Sequence, residues 1–144
     1  MAEITLTGMD DLISKLQALG DRAERIENEA LMAGGKVLQK GMSERAPRSD
    51  QSRQKGHLSG TQSWRTGQHA ADNIKISRVK LIGGVKGVFV GVSKGDSSRY
   101  FYLKFHEWGT SKMPATPFIG PTVAEDRGKA IDAMKTVVKA GLGL

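Results

Sequence analysis

The feature that most constrains this chain is a long apolar stripe between Asp21 and Pro47. Ala23, Ile26, Ala30, Ala33, Val37 and Gly41 recur every three or four residues, with Leu31, Leu38 and Met42 as a second row beside them. That period describes one face of an α-helix, and a face so wide must be covered by other parts of the fold. Asp21-Arg22-Ala23-Glu24 has capping-box spacing, with Asp in the Ser/Thr role. Pro47 ends the helix near Ala46, because the residue before a proline avoids helical backbone. Gly34 and Gly35 fall inside this stretch, where each costs roughly 1 kcal/mol relative to alanine. Close packing against a strand or another helix is the physical reason to keep them.

Ahead of this helix, Ile4-Thr5-Leu6 alternates like a short strand ending at Gly8. Asp10 and Asp11 then open a first helix carrying Leu12, Ile13, Leu16 and Leu19 at helical spacing, with Gly20 as its C-cap. Behind it, residues 48–71 hold little that is large and apolar besides Leu58 and Trp64. A loop longer than about 12–15 residues is unusual in a compact domain unless it is functional or disordered, so this one is expected to be a mobile basic arm.

From Asn73 the pattern turns to strands. Ile74 and Ile76 alternate, Val79 and Leu81 continue after a slip that suggests a bulge, and Gly83-Gly84 marks a turn. Val88, Val90 and Val92 form the returning strand, and Gly95-Asp96 marks the next turn. Tyr100 to Trp108 reads as a third strand, with Phe101, Leu103 and Phe105 on one face and Tyr102, Lys104 and His106 on the other. Pro114 and Pro117 stiffen a crossing. A last helix runs from Pro121 to Ala140, with Val123, Arg127, Ile131, Met134 and Val138 on its inner face and Gly141 and Gly143 stopping it. The expected architecture is a single α+β domain spanning 1–144. Its small antiparallel β-sheet of about three to four strands packs against N-terminal and C-terminal helices.

Several functional classes drop out. The chain has no cysteine, which removes disulfides, thiolate nucleophiles and Cys-based zinc sites. His57, His69 and His106 include no pair at helical metal-ligand spacing. His106 and Glu107, being adjacent on an expected strand, would point to opposite faces and share no site. Gly91-Val92-Ser93-Lys94-Gly95 matches a nucleophile-elbow pattern, but it leads into another strand where the elbow requires a helix. Glu125 and Asp126 sit at the start of the last helix, where the helix dipole accounts for them. The expectation is a protein with no catalytic site, no cofactor and no metal. No signal peptide opens the chain and no apolar run approaches the roughly 18 residues that span a bilayer, so cytoplasmic synthesis and no membrane contact are expected.

The net charge of +7 is unevenly placed. Residues 1–46 carry six Lys/Arg against eight Asp/Glu, residues 47–99 carry ten against three, and residues 100–144 carry six against four. Arg48, Arg53, Lys55, Trp64 and Arg65 form the one basic stretch with an aromatic in it. Such a stretch suits a neighbouring protein surface or the phosphates of DNA. A non-specific DNA-binding module using this middle region is therefore the alternative to an assembly protein.

The segment from Phe105 to Pro121 carries a resemblance. Glu107-Trp108-Gly109-Thr110, then Pro114, Pro117-Phe118 and Pro121 before a C-terminal helix, resembles the signature of the tail-completion, or head–tail joining, proteins of long-tailed bacteriophages. These are often labelled minor tail components. Ala46-Pro47 closing a long helix, and Thr66-Gly67 followed by Asp72-Asn73-Ile74, are similar to the same family. The departure is the length of Arg48 to Arg65, where family members have few residues. Apart from the family, Gly109 permits a sharp exit with positive φ, and the prolines reduce the entropy lost on ordering the crossing. Trp108 and Phe118 either pin the last helix or anchor a subunit interface. What the resemblance implies is a structural virion protein, made in the bacterial host. It would form a homo-oligomeric ring, a hexamer, between the tail tube or tail terminator and the head connector. The ring completes the tail and admits the filled head, with the basic arm contacting a neighbour or the DNA in the channel.

Overall fold

The computed structural model describes residues 9–48, 69–92 and 100–144. Helix α1 (Met9–Arg45) is followed by a 3-10 turn (Ala70–Asn73) and four short strands, β1 (Ile74–Ile76), β2 (Lys80–Ile82), β3 (Val85–Gly87) and β4 (Val90–Val92). Helices α2 (Leu103–Trp108) and α3 (Ile119–Leu142) complete the order. The α+β class is as expected. The expected strand Ile4–Leu6, the Ser93 loop and residues 49–68 of the expected arm lie outside the described residues. At the arm's far end, His69, Ala70 and Ala71 are buried.

Where two helices were expected, α1 is a single helix of 37 residues. The capping box at Asp21 and the C-cap at Gly20 do not form. Leu12, Leu16, Leu19, Ala23, Ile26, Ala30, Ala33 and Val37 alternate steps of four and three without a break. With the stripe in phase across Gly20, a lone glycine is too small a penalty to end the helix.

The strands form one long bent hairpin with two antiparallel ladders. Ile74 faces Val92 and Ile76 faces Val90 in the first, and Lys80 faces Gly87 and Ile82 faces Val85 in the second. Between them Ser77 N–H donates to Phe89 O (2.8 Å) and Phe89 N–H donates to Ser77 Oγ (2.9 Å), so the ladder slips as the sequence suggests. Gly83 and Gly84 turn the hairpin at φ +58° and +84°, the pair of positive values that a two-residue turn matched to strand twist requires.

The third strand expected at Tyr100–Trp108 is instead a turn followed by α2. Phe101, Leu103 and Phe105 alternate like a strand, but Phe101, Phe105 and Trp108 also fit a helical row. A single buried residue, Leu103, satisfies the core, so the helical period prevails. The inner face of α3 also differs from expectation by one residue. Thr122, Asp126 and Ala130 are buried, while Val123 and Ile131 are exposed. Asp126 is drawn inward by Arg45 of α1 and held by Lys129, whose Nζ lies 2.8 Å from Asp126 Oδ1.

Glycines set how closely the elements approach. A Cβ at Gly34 would lie 2.8 Å from Met134 Cγ and Sδ of α3, and one at Gly35 would lie 3.1 Å from Val88 Cγ2 of the hairpin. The second helix and the strand proposed as reasons for this pair are thus both present. At Gly41 a Cβ would collide with the Asp126 carboxylate and lie 2.8 Å from Arg45 Nη1 and 2.9 Å from Thr122 Cγ2. Gln39 and Ser43 of α1 also donate to Ile74 O (2.6 Å) and Ala71 O (2.9 Å), fixing the hairpin's base. The core of Met42, Ala46, Ala70, Ala71, Ile74, Leu103 and Phe118 gathers near the C-terminal end of α1. Gly41→Ala should therefore destabilise the fold by about 1–3 kcal/mol through overpacking. Gly34→Ala should cost less than Gly41→Ala, because the Met134 side chain at 2.8 Å can shift, Ala130 O lies at an ordinary 3.5 Å, and the change returns roughly 1 kcal/mol of helix propensity. Equal costs in urea titrations of the two variants would contradict this packing account.

Candidate functional site

The residues from Glu107 to Pro121 converge on the N-terminus of α3. A helix start leaves several N–H groups without partners, and the residue in the N-cap position here, Phe118, makes no side-chain cap bond. Glu107, at the end of α2, supplies the acceptor. Its Oε2 takes the N–H groups of Phe118 (2.8 Å) and Ile119 (2.9 Å), and its Oε1 takes that of Gly120 (3.0 Å). Pro121 has no N–H to satisfy, and Thr122 N–H reaches Phe118 O at 3.3 Å. Burial pushes the Glu107 carboxyl up, but the three backbone N–H groups outweigh it and hold the carboxyl below its ordinary range.

The rest of the motif shapes the link between the two helices. Gly109 has φ +73° and donates to Phe105 O at 2.8 Å. A Cβ there would lie 2.9 Å from Ala115 N and 3.0 Å from Met113 O, so conformation and space both demand glycine. Thr110 N–H donates to Met113 O (2.8 Å), closing a small turn, and Thr116 N–H donates to His106 O (2.7 Å), tying the link back to α2. Pro114 and Pro117 lie exposed along the link, and Pro121 is half-buried in the first turn of α3.

The two aromatic anchors have separated roles. Phe118 is 3% exposed and belongs to the core, whereas Trp108 is 75% exposed. Phe101, Phe105 and Trp108 stand at helical spacing (i, i+4, i+7), and all three are exposed. The rings of Phe101 and Phe105 meet edge to face at 6.0 Å, and Lys104 Nζ lies 5.5 Å from the Phe105 ring. This stripe runs from the turn at Phe101 onto the short helix α2, which is held by buried Leu103 and by the Glu107 cap. It presents an apolar surface with no acid–base pair in it. Among the described residues, no group of three or more His, Asp or Glu could hold a metal ion.

A family model described as HK97-gp10-like, "Bacteriophage HK97-gp10, putative tail-component", matches residues 10–109. The chain belongs to this family. It is a structural component of a bacteriophage tail, and so a virion protein that interacts with other phage proteins. No curated protein and no solved structure matches the chain. The match covers α1, the hairpin and α2 and ends at Gly109, just past the exposed Trp108. No described helix is long and apolar enough to cross a membrane.

Of the basic residues read from the sequence, Arg48 pairs with Asp72 at 2.9 Å. Arg53, Lys55, Trp64 and Arg65 lie outside the described residues. Sequence reading did not anticipate that Glu107 would cap α3, because its partners are main-chain groups more than ten residues away. Nor did it place Arg45, which bonds Glu125 and Asp126 together. The Asp126 hydrogen bond, ahead of the Glu125 one, raises the Arg45 pKa, and bonds from Lys129 and then Arg45 lower that of Asp126.

Glu107→Ala should cost about 1–2 kcal/mol, the range for losing a helix cap. Because the folded Glu107 pKa is depressed, its contribution is complete above the unfolded carboxylate pKa and is lost as pH falls through the lower folded value. The melting-temperature gap between wild type and Glu107→Gln should therefore be widest near neutral pH and close on acidification. Gly109→Ala should cost about 2 kcal/mol or more through positive φ and the Ala115 contact, measured by the same thermal melts.

Proposed function

We propose that this tail component forms a ring, a hexamer, at the head–tail joint, where it completes the tail and provides the surface on which the filled head docks. The observation that supports this reading is the mounting of Phe101, Phe105 and Trp108 on a surface that stands exposed among the described residues. Aromatic side chains in such positions supply much of the binding energy at protein interfaces. Conserving backbone order beneath them, through Glu107 and Gly109, limits the entropy lost on docking. On this reading Trp108 contacts a neighbouring subunit or the adjoining tail tube, tail terminator or head connector. Thr110, Pro114, Pro117 and Pro121 hold the link that frames it. The basic segment 48–71 then contacts a neighbour or the DNA in the channel, with Arg48 anchoring its start through Asp72.

Lysates in which this gene is silenced should contain separate DNA-filled heads and tails by electron microscopy. Adding back wild-type protein should restore joined particles, and Trp108→Ala should not, although its stability should stay within about 0.5 kcal/mol of wild type because the side chain is exposed. Joined particles in the silenced lysate would overturn the head–tail reading. The isolated protein should bind duplex DNA only weakly at physiological salt. Tight binding that falls steeply with salt would instead favour the DNA-binding alternative.

A further inference from the structure

The hairpin differs in charge from the two long helices. From Ile74 to Val92 it carries Lys75, Arg78, Lys80 and Lys86 and no Asp or Glu. Helix α1 mixes six Lys/Arg with seven Asp/Glu, and α3 mixes four with three. The ladder register divides the hairpin's cations between two faces. Ile74 is buried, and Ile76 lies against α1 at Gly35, so Lys75 between them points outward. Lys86 faces Leu81 across the second ladder and reaches α1, its Nζ 3.0 Å from Glu24 Oε1 and Glu27 Oε2. Lys80, next to Leu81, therefore lies on the outer face with Lys75.

On that outer face Lys75 and Lys80 line one open hollow of about 510 Å³, together with Ser77, Phe89 and Gly91. Each lysine faces a glycine across its ladder, Lys75 opposite Gly91 and Lys80 opposite Gly87. The strand beside each lysine thus carries no side chain, and a bulky ligand can approach the backbone there. Arg78 stands exposed at the slip between the two ladders. Among the described residues Lys75, Arg78 and Lys80 have no ion-pair partner. The remaining segments, 1–8, 49–68 and 93–99, hold Glu3, Asp50 and Asp96 against Arg53, Lys55, Arg65, Lys94 and Arg99. They are net basic and cannot neutralise this face, so its counter-charge must come from another molecule.

We infer that the outer face of the hairpin is a contact for the phosphate backbone of duplex DNA, made by Lys75 and Lys80 with Arg78 between them. Lysine, arginine, serine and open backbone are the groups that contact phosphates, whereas lysine is depleted at protein–protein interfaces. The cations extend over at most about 16 Å of strand. A duplex presents unbroken negative charge over such a length, one per ~1.7 Å of axis, whereas a protein surface like those of α1 and α3 mixes signs. Two or three phosphate contacts per copy are too few for tight binding at physiological salt. The face therefore guides DNA rather than holding it. This site is separate from the basic segment 48–71, and its test on the isolated chain does not depend on the head–tail reading.

Binding of the full-length protein to a random-sequence duplex, followed by fluorescence anisotropy between about 50 and 200 mM salt, tests the assignment. Lys75→Gln/Lys80→Gln should lower the slope of log affinity against log salt by about 2, so that wild type loses about tenfold more affinity over that range. Lys135→Gln/Lys139→Gln removes the same charge from exposed positions on α3 and should leave the slope unchanged. Lys75→Arg/Lys80→Arg should keep the wild-type slope, and circular dichroism melts should match for all variants. Equal slopes for the two glutamine variants would show that net charge alone matters and overturn the inference, as would no wild-type binding at the lowest salt. Displacement of the duplex by poly-glutamate at matched charge would reassign the face to an acidic protein. Tighter binding of single-stranded DNA that Phe89→Ala abolishes would overturn the duplex assignment in favour of base stacking.

Discussion

The close approach of α3 to α1 is the constraint on which the remaining structure depends. It is possible because glycines remove the side chains that would hold the helices apart, at Gly34 and Gly41 of α1 and at Gly141 of α3, where a Cβ would press into Ile26. Into the space beside Gly41 go Thr122, fully buried, and Asp126, held by Arg45 and Lys129. A carboxylate that deep is tolerable only when its charge is paired. The polar contact therefore fixes the rotation of α3, and with it which of its residues face the core.

Once α3 is fixed, the position of its N-terminus is fixed, and Glu107 must come to it. The cap reaches back from α2, so the aromatic stripe carried by α2 is oriented by the same packing that joins the two long helices. Phe118 enters the core on one side of the link and Trp108 leaves it on the other. A core side chain and an exposed aromatic one are thus separated by nine residues whose backbone is held by Gly109, the Thr110–Met113 turn and the His106–Thr116 hydrogen bond. For a component of a tail, a surface set in place before assembly is a physical advantage, because less order has to be gained on docking.

Much of this was legible in the residues. The helical period through Ala23 to Met42, the proline stop, the glycine turn at Gly83-Gly84, the slip after Ile76 and the closing glycine at Gly143 each report local backbone preference, and the structure follows them. The tail-completion signature pointed to a phage tail component, and the family match agrees. The segment Tyr100–Trp108 was misread because alternation and helical spacing coincide over nine residues, and short apolar runs do not separate the two. The break at Gly20 was misread because glycine is both a helix stop and a helix-interior residue.

The sequence by itself determined the helical stripe from Ala23 to Met42, the Gly83-Gly84 hairpin, the α+β class and the family, since these rest on spacing between near neighbours and on a contiguous motif. Only the tertiary structure decided that Glu107 caps α3, that Asp126 rather than Val123 faces inward, and that Trp108 is exposed while Phe118 is buried. Each of those outcomes depends on which distant group supplies a hydrogen bond or a charge, and no periodicity along the chain encodes that partner.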